Sequence, residues 1–136
     1  MTPSWDYAPA PESTDVVSIR DTYGLFLGGR FVEPASGSYF KTINPATEEV
    51  LAAVPEASSE DVDAAVAGAR DGFGRWTSAG APTRGKYLFR IARIMQERAR
   101  ELAVLETMNG GKPIRESRDV DIPLACAHFF YYAGWA

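Results

Sequence analysis

The sequence predicts a mixed α/β fold: a short β-hairpin and two further strands, then three helical segments. Three observations predict it. Two apolar triplets flank Gly28-Gly29, and glycine accepts the positive φ that a tight hairpin turn needs. Two strand-like runs follow, each stopped by a proline, Pro45 and Pro55. From Ser58 onward apolar residues recur with a helical period.

The elements follow in order. Leu25–Leu27 and Arg30–Val32 are the hairpin strands, and Pro34–Ser38 is a loop. Tyr39–Asn44 and Val50–Val54 read as strands, short ones and not a large sheet. Ser58 followed by Asp61 fits a capping box, in which each side chain serves an orphan backbone N–H at the helix start. Val62, Val66, Ala69, Phe73 and Trp76 then lie on one helix face. Gly72, Gly74 and Gly80 are expected to loosen its end. After Pro82 a second helix is predicted over Thr83–Thr107, with Tyr87, Leu88, Ile91, Met95, Ala99 and Leu102 as its apolar stripe. Arg93, Glu97, Arg100 and Glu101 form a charge-balanced outer face. Asn109-Gly110-Gly111 ends it. A third helical region begins near Pro113 and is expected to restart at Asp121, with Pro123 in a first turn where its missing N–H costs little.

Composition narrows the function classes. The chain has 136 residues, 46% of them hydrophobic and 24% charged, enough apolar material to bury a core. A net charge of −4 argues against a nucleic-acid partner, which calls for a basic face. The most apolar stretch, Ile122–Ala136, is shorter than the roughly 20 residues that span a bilayer, so no membrane partner is expected. Residues 1–20 lack the basic start and apolar run of a secretory signal. One cysteine makes no internal disulfide. A cytoplasmic protein is the resulting expectation. Residues 1–22, with Pro3, Pro9 and Pro11 among polar residues, read as a flexible N-terminal arm. Residues 23–136 read as one unit that is incomplete at its C-terminus, because Phe129, Phe130, Tyr131, Tyr132 and Trp135 crowd the end with no polar tail. That surface is expected to pack on more of the same chain or on a partner.

Local motifs do not assemble a catalytic centre. Gly72-Phe73-Gly74 begins like a dinucleotide fingerprint, but it lacks the final glycine and follows a helix. Gly111-Lys112 lacks the first glycine and the Ser/Thr of a phosphate loop. Lys112 reads as a solvated lysine at a helix start. Cys126 lies in an apolar helical context with His128 two residues on, a spacing that does not face one helix side, so core packing is expected. Asp119 and Asp121 read as helix-end carboxylates rather than an acid–base pair.

Taken together and in order, several segments resemble the N-terminal region of the aldehyde dehydrogenase superfamily. They are Leu25–Val32, Thr42–Val50 with its Asn44-Pro45-Ala46-Thr47, Glu60–Val66, Trp76, Arg84, Gly111-Lys112-Pro113 and Phe130–Ala136. The resemblance covers residues 23–136 and implies the first piece of a Rossmann-type cofactor domain. It implies an enzyme that oxidises a small-molecule aldehyde to a carboxylic acid with NAD or NADP, through a cysteine thiolate that forms a covalent intermediate. The family's nucleophile, general base and nucleotide-binding loops match nothing in these residues, so no catalytic or cofactor-binding residue is assigned and the chain alone is expected to be inactive. The implied partners are the remainder of the enzyme chain or like subunits in a homo-oligomer. Some family members hold a monovalent cation at positions matching Thr42, Ile43 and Asn109; some carry aspartate where this chain has Asn109. The alternative is a non-catalytic interaction module that docks through Phe129–Trp135.

Overall fold

A computed structural model describes residues 12–136. Four strands form two antiparallel ribbons: β1 (Leu25–Leu27) pairs with β2 (Arg30–Val32), and β3 (Tyr39–Ile43) pairs with β4 (Val50–Pro55). Gly28 and Gly29 both take positive φ, 59° and 84°, which closes the expected hairpin. In the second ribbon the register steps from Thr42↔Ala52 to Ile43↔Val50, so Leu51 is a bulge residue. A single parallel bridge, Thr22↔Ala53, lies outside the named strands.

Helix α1 (Ser59–Ser78) starts at the predicted capping box. It does not loosen at Gly72 or Gly74 but runs to Ser78. The Thr77 and Ser78 hydroxyls donate to the Gly74 carbonyl, and the helix stops only where Gly80 turns to φ 76°. Its predicted apolar face exists in the geometry, yet Val62, Phe73 and Trp76 remain 53%, 66% and 41% exposed among the described residues.

The predicted second helix is two helices, α2 (Ala81–Glu97) and α3 (Ala99–Gly110), broken at Arg98 with φ −105° and ψ 17°. The apolar stripe Met95, Ala99, Leu102 keeps helical spacing across the break, so periodicity does not register it. The third region runs as α4 (Ile114–Glu116), a π turn (Ser117–Asp121) and α5 (Ile122–Ala133), without the expected fresh start at Asp121. The π turn takes up one extra residue within a continuous helical path.

Helices α2 and α5 make the main packing contact. Ala92 and Cys126 are buried there, and the Phe89 and Phe130 rings meet edge-on at 5.0 Å. The remaining core is Ala52, Ala103 and Val104, with Ser117 fully buried and accepting from the Thr107 hydroxyl at 3.2 Å.

Part of the expected N-terminal arm is fastened down. Residues 1–11 lie outside the described residues. Residues 12–22 are tied at one end by Glu12, which pairs with Arg100 and Arg118, and at the other by backbone bonds between Asp21 or Tyr23 and Ala53.

Candidate functional site

The site lies where the bulged end of the β3–β4 ribbon meets the end of α3. The Thr42 hydroxyl donates to Asn109 Oδ1 at 2.5 Å, across 67 residues of sequence. Next to it, Gly111 ends α3 in the left-handed region, φ 74°, with the Pro45 ring against it. The Asn44-Pro45 turn and the Gly111-Lys112-Pro113 turn are therefore in contact, although nothing local in either predicts the other. Beyond the turn Lys112 Nζ reaches Asp121 Oδ2 at 2.5 Å and stands 3.9 Å from Glu106 Oε1. The hydrogen bond to Asp121 holds the ammonium above the ordinary lysine value. Lys112 thus staples the end of α3 to the π turn.

An open cleft of about 380 Å³ runs from this junction between α3 and the ribbon. Its walls include Ile19, Tyr23, Leu51, Leu102 and Leu105. Its polar groups are Thr42, Asn109 and Glu106, the last one turn back from Asn109 on α3.

Of the three predicted cation positions, Thr42 and Asn109 are brought together and Ile43 adjoins them in β3, an exposed residue. The two side-chain oxygens bond to each other. A cation at these positions would displace that hydrogen bond and rely on neutral oxygens, a donor set suited to a weakly held hard ion. Among the described residues no group of three or more His, Cys, Asp or Glu side chains is placed to hold a metal ion. Gly72-Phe73-Gly74 sits inside α1, where its backbone N–H groups belong to the helix, and Lys112 is committed to Asp121.

The other candidates separate. Cys126 is buried, 3% exposed, while His128 is exposed, so the two do not form a thiol–imidazole pair. Asp119 takes a bidentate pair from Arg118 at 2.7 and 2.9 Å, and Asp121 is held by Lys112. Both carboxylates are ion-paired. At the end of α5, Tyr131, Tyr132 and Trp135 are 59%, 58% and 74% exposed.

Asp61 has a role that sequence reading gave only in part. Its carboxylate accepts from the Ser58 N–H and hydroxyl, both at 2.8 Å, and also from the Ala35 N–H at 3.0 Å. It therefore pins the loop after β2 to the start of α1. The Ser58 N–H, then the Ala35 N–H, then the Ser58 hydroxyl hold its pKa below the ordinary aspartate value. A depressed folded pKa means stability that is complete above the unfolded value of about 3.9 and is lost as pH falls through the folded value. Asp61→Asn is expected to remove this contribution. Denaturant midpoints of the two proteins should differ most at neutral pH and converge as pH drops below about 4. A constant difference down to strong acid would rule the role out.

The sequence profile of the Aldehyde dehydrogenase family matches residues 31–136. The chain is 45% identical over 119 residues to DhaS of Bacillus subtilis (strain 168), whose name provisionally assigns it to the aldehyde dehydrogenases; the match covers 86% of this chain and 24% of that protein. It is 43% identical over 114 residues to aldehyde dehydrogenase family 2 member B4, mitochondrial, of Arabidopsis thaliana, covering 82% of this chain and 21% of that one. Among solved structures, the NAD+ complex of aldehyde dehydrogenase from Bacillus cereus matches with a TM-score of 0.81 at 41% identity, over 84% of this chain and 24% of that chain. The chain spans about a quarter of the length of the curated relatives it matches.

Proposed function

The chain belongs to the aldehyde dehydrogenase family, and from that premise we propose that it is the N-terminal part of an enzyme oxidising an aldehyde to a carboxylic acid with NAD or NADP. The match to an NAD+-bound dehydrogenase at a TM-score of 0.81 and 41% identity, over a quarter of that chain, is the observation that carries the reading. When bound, the nicotinamide cofactor accepts the hydride from the substrate. In this reading the residues described here serve as frame, and chemistry and cofactor binding fall to the rest of the polypeptide. Assembly with like subunits belongs to the same proposal. So does a cytoplasmic location, supported by a lone cysteine with no disulfide partner in these 136 residues.

The test is aldehyde-dependent reduction of NAD and of NADP by the native polypeptide whose sequence begins MTPSWDY, with its intact mass measured alongside. Turnover is expected from a polypeptide several times longer than these residues, and none from the 136-residue chain. Turnover by the short chain would overturn the division of labour. A native mass near 14.8 kDa would favour the interaction-module reading instead.

A cation site at Thr42, Ile43 and Asn109 is the secondary proposal, supported by the meeting of Thr42 and Asn109 beside the bulge. Asn109→Asp adds the charge that a cation favours. It should make thermal stability of the full polypeptide more dependent on potassium or sodium relative to choline. Equal responses of both proteins would remove the site.

A further inference from the structure

We propose that residues 12–23 are a strap along one wall of the apolar cleft, and that it opens from its ionic end when Glu12 releases its two arginines. The strap has two unlike anchors. At one end the Glu12 carboxylate splits its oxygens between two elements. Oε2 accepts from Arg100 Nε of α3 at 2.7 Å, and Oε1 lies 3.4 Å from Arg118 Nη1 of the π turn. The Glu12 side chain is only 15% exposed, while those of Arg100 and Arg118 are 59% and 41% exposed, so the carboxylate is seated and its partners face solvent. At the other end the fastening is backbone: the Ala53 N–H donates to the Asp21 carbonyl at 2.8 Å, and the Tyr23 N–H donates to the Ala53 carbonyl at 3.0 Å. Ile19, between the anchors, and Tyr23, at the second of them, line the cleft together with Leu102 and Leu105.

The anchors respond differently to solution conditions. Ion pairs with exposed partners weaken as the screening length falls from about 8 Å at physiological ionic strength to about 3 Å at 1 M. Backbone bonds on a strand edge lack that dependence. Arg20 reinforces the strand end, its guanidinium 4.6 Å from the Tyr23 ring centre and 5.2 Å from that of Phe31. The strap therefore peels from Glu12 toward Asp21, and the Ile19 part of the cleft wall leaves Leu102 and Leu105 as it does. A salt-sensitive wall on an apolar cleft goes beyond oxidoreductase chemistry and holds whether or not that reading stands.

Residue-resolved hydrogen exchange on the native polypeptide tests this at two amides. Val17 N–H, bonded to the Thr14 carbonyl at 3.0 Å, reports the strap; Tyr23 N–H reports the strand anchor. Raising salt from about 0.1 M to about 1 M should speed exchange at Val17 about threefold and leave Tyr23 unchanged. Glu12→Gln should reproduce the faster Val17 exchange at low salt and abolish the salt response. Fluorescence of the neutral apolar dye Nile red should rise in the same steps. Equal acceleration at both amides would mean general loosening and overturn the proposal. So would unchanged exchange in Glu12→Gln, a salt response that survives in it, or a dye signal that does not follow the Val17 amide.

Discussion

Gly111→Ala is expected to destabilise the full polypeptide by about 2 kcal/mol, from two sources that other substitutions separate. The backbone at Gly111 has φ 74°, and an L side chain in the left-handed region costs roughly 1–2 kcal/mol. A Cβ there would also stand 3.1 Å from Pro45 Cγ and 3.2 Å from Pro45 Cβ, and the proline ring has little freedom to retreat. A gain of about 0.4–1 kcal/mol from stiffening the unfolded chain offsets only part of this. Asparagine tolerates the left-handed region, so Gly111→Asn should lose less than Gly111→Ala and still not match wild type. Pro45→Ala combined with Gly111→Ala should lose less than the sum of the two single changes, because the bulk of the ring is gone. Denaturant midpoints of the four variants decide it. Strict additivity would mean that the two turns do not meet as described. Because Gly111 follows Asn109 by two residues, the same substitution should also loosen the Thr42–Asn109 contact.

Gly85→Ala is expected to destabilise by about 1–3 kcal/mol, the range found for overpacking. Helix propensity alone predicts the opposite, a gain of about 1 kcal/mol for alanine over glycine within a helix. The decisive distance is 2.7 Å from the added Cβ to the Ala133 carbonyl oxygen of α5, closer than carbon and oxygen tolerate. The obstacle is backbone and has no rotamer to change, so α2 and α5 would have to move apart. That motion would disturb the buried Ala92 and Cys126 and the Phe89–Phe130 contact. Gly72 and Gly74 are internal references: they lie within α1, and nothing described here stands within 4 Å of a Cβ at either. Gly72→Ala and Gly74→Ala should follow propensity and raise the denaturant midpoint, whereas Gly85→Ala should lower it. A stabilised Gly85→Ala would show that α2 and α5 are less closely packed than they are described.

Much of the fold was legible in the sequence because the signals were local. Gly28-Gly29 marks its own turn, Ser58 and Asp61 form their own cap, and Pro45 follows the end of β3, although β4 runs one residue past its expected end to include Pro55. Each decision is made within a few residues, by allowed φ or by a hydrogen bond to the neighbouring backbone. Less was legible where local rules stay silent or are overruled. Nothing at Arg98 resembles a breaker, and the apolar stripe runs through it in register. Gly72 and Gly74 look like breakers but leave α1 intact, since a glycine weakens a helix by about 1 kcal/mol and a long helix absorbs that. Of the candidate site, the sequence marked Thr42, Ile43 and Asn109 only through family resemblance. Glu106, Leu51 and the second role of Asp61 carried no sequence signal, because each depends on a partner far along the chain.

The sequence by itself determined the Gly28-Gly29 hairpin, the two strands that follow, the capped start of α1 and the family resemblance. The tertiary structure alone decided which of those pieces touch: the Thr42 hydroxyl on Asn109, the Pro45 ring on Gly111, Glu12 shared between Arg100 and Arg118, and α5 lying on Gly85. The physical reason is range. Backbone sterics and capping bonds act over a few residues and leave a pattern in the sequence. Packing and ion pairing act through space, across 67 residues for Thr42 and Asn109 and 106 for Glu12 and Arg118, and become definite only when the whole chain closes on itself.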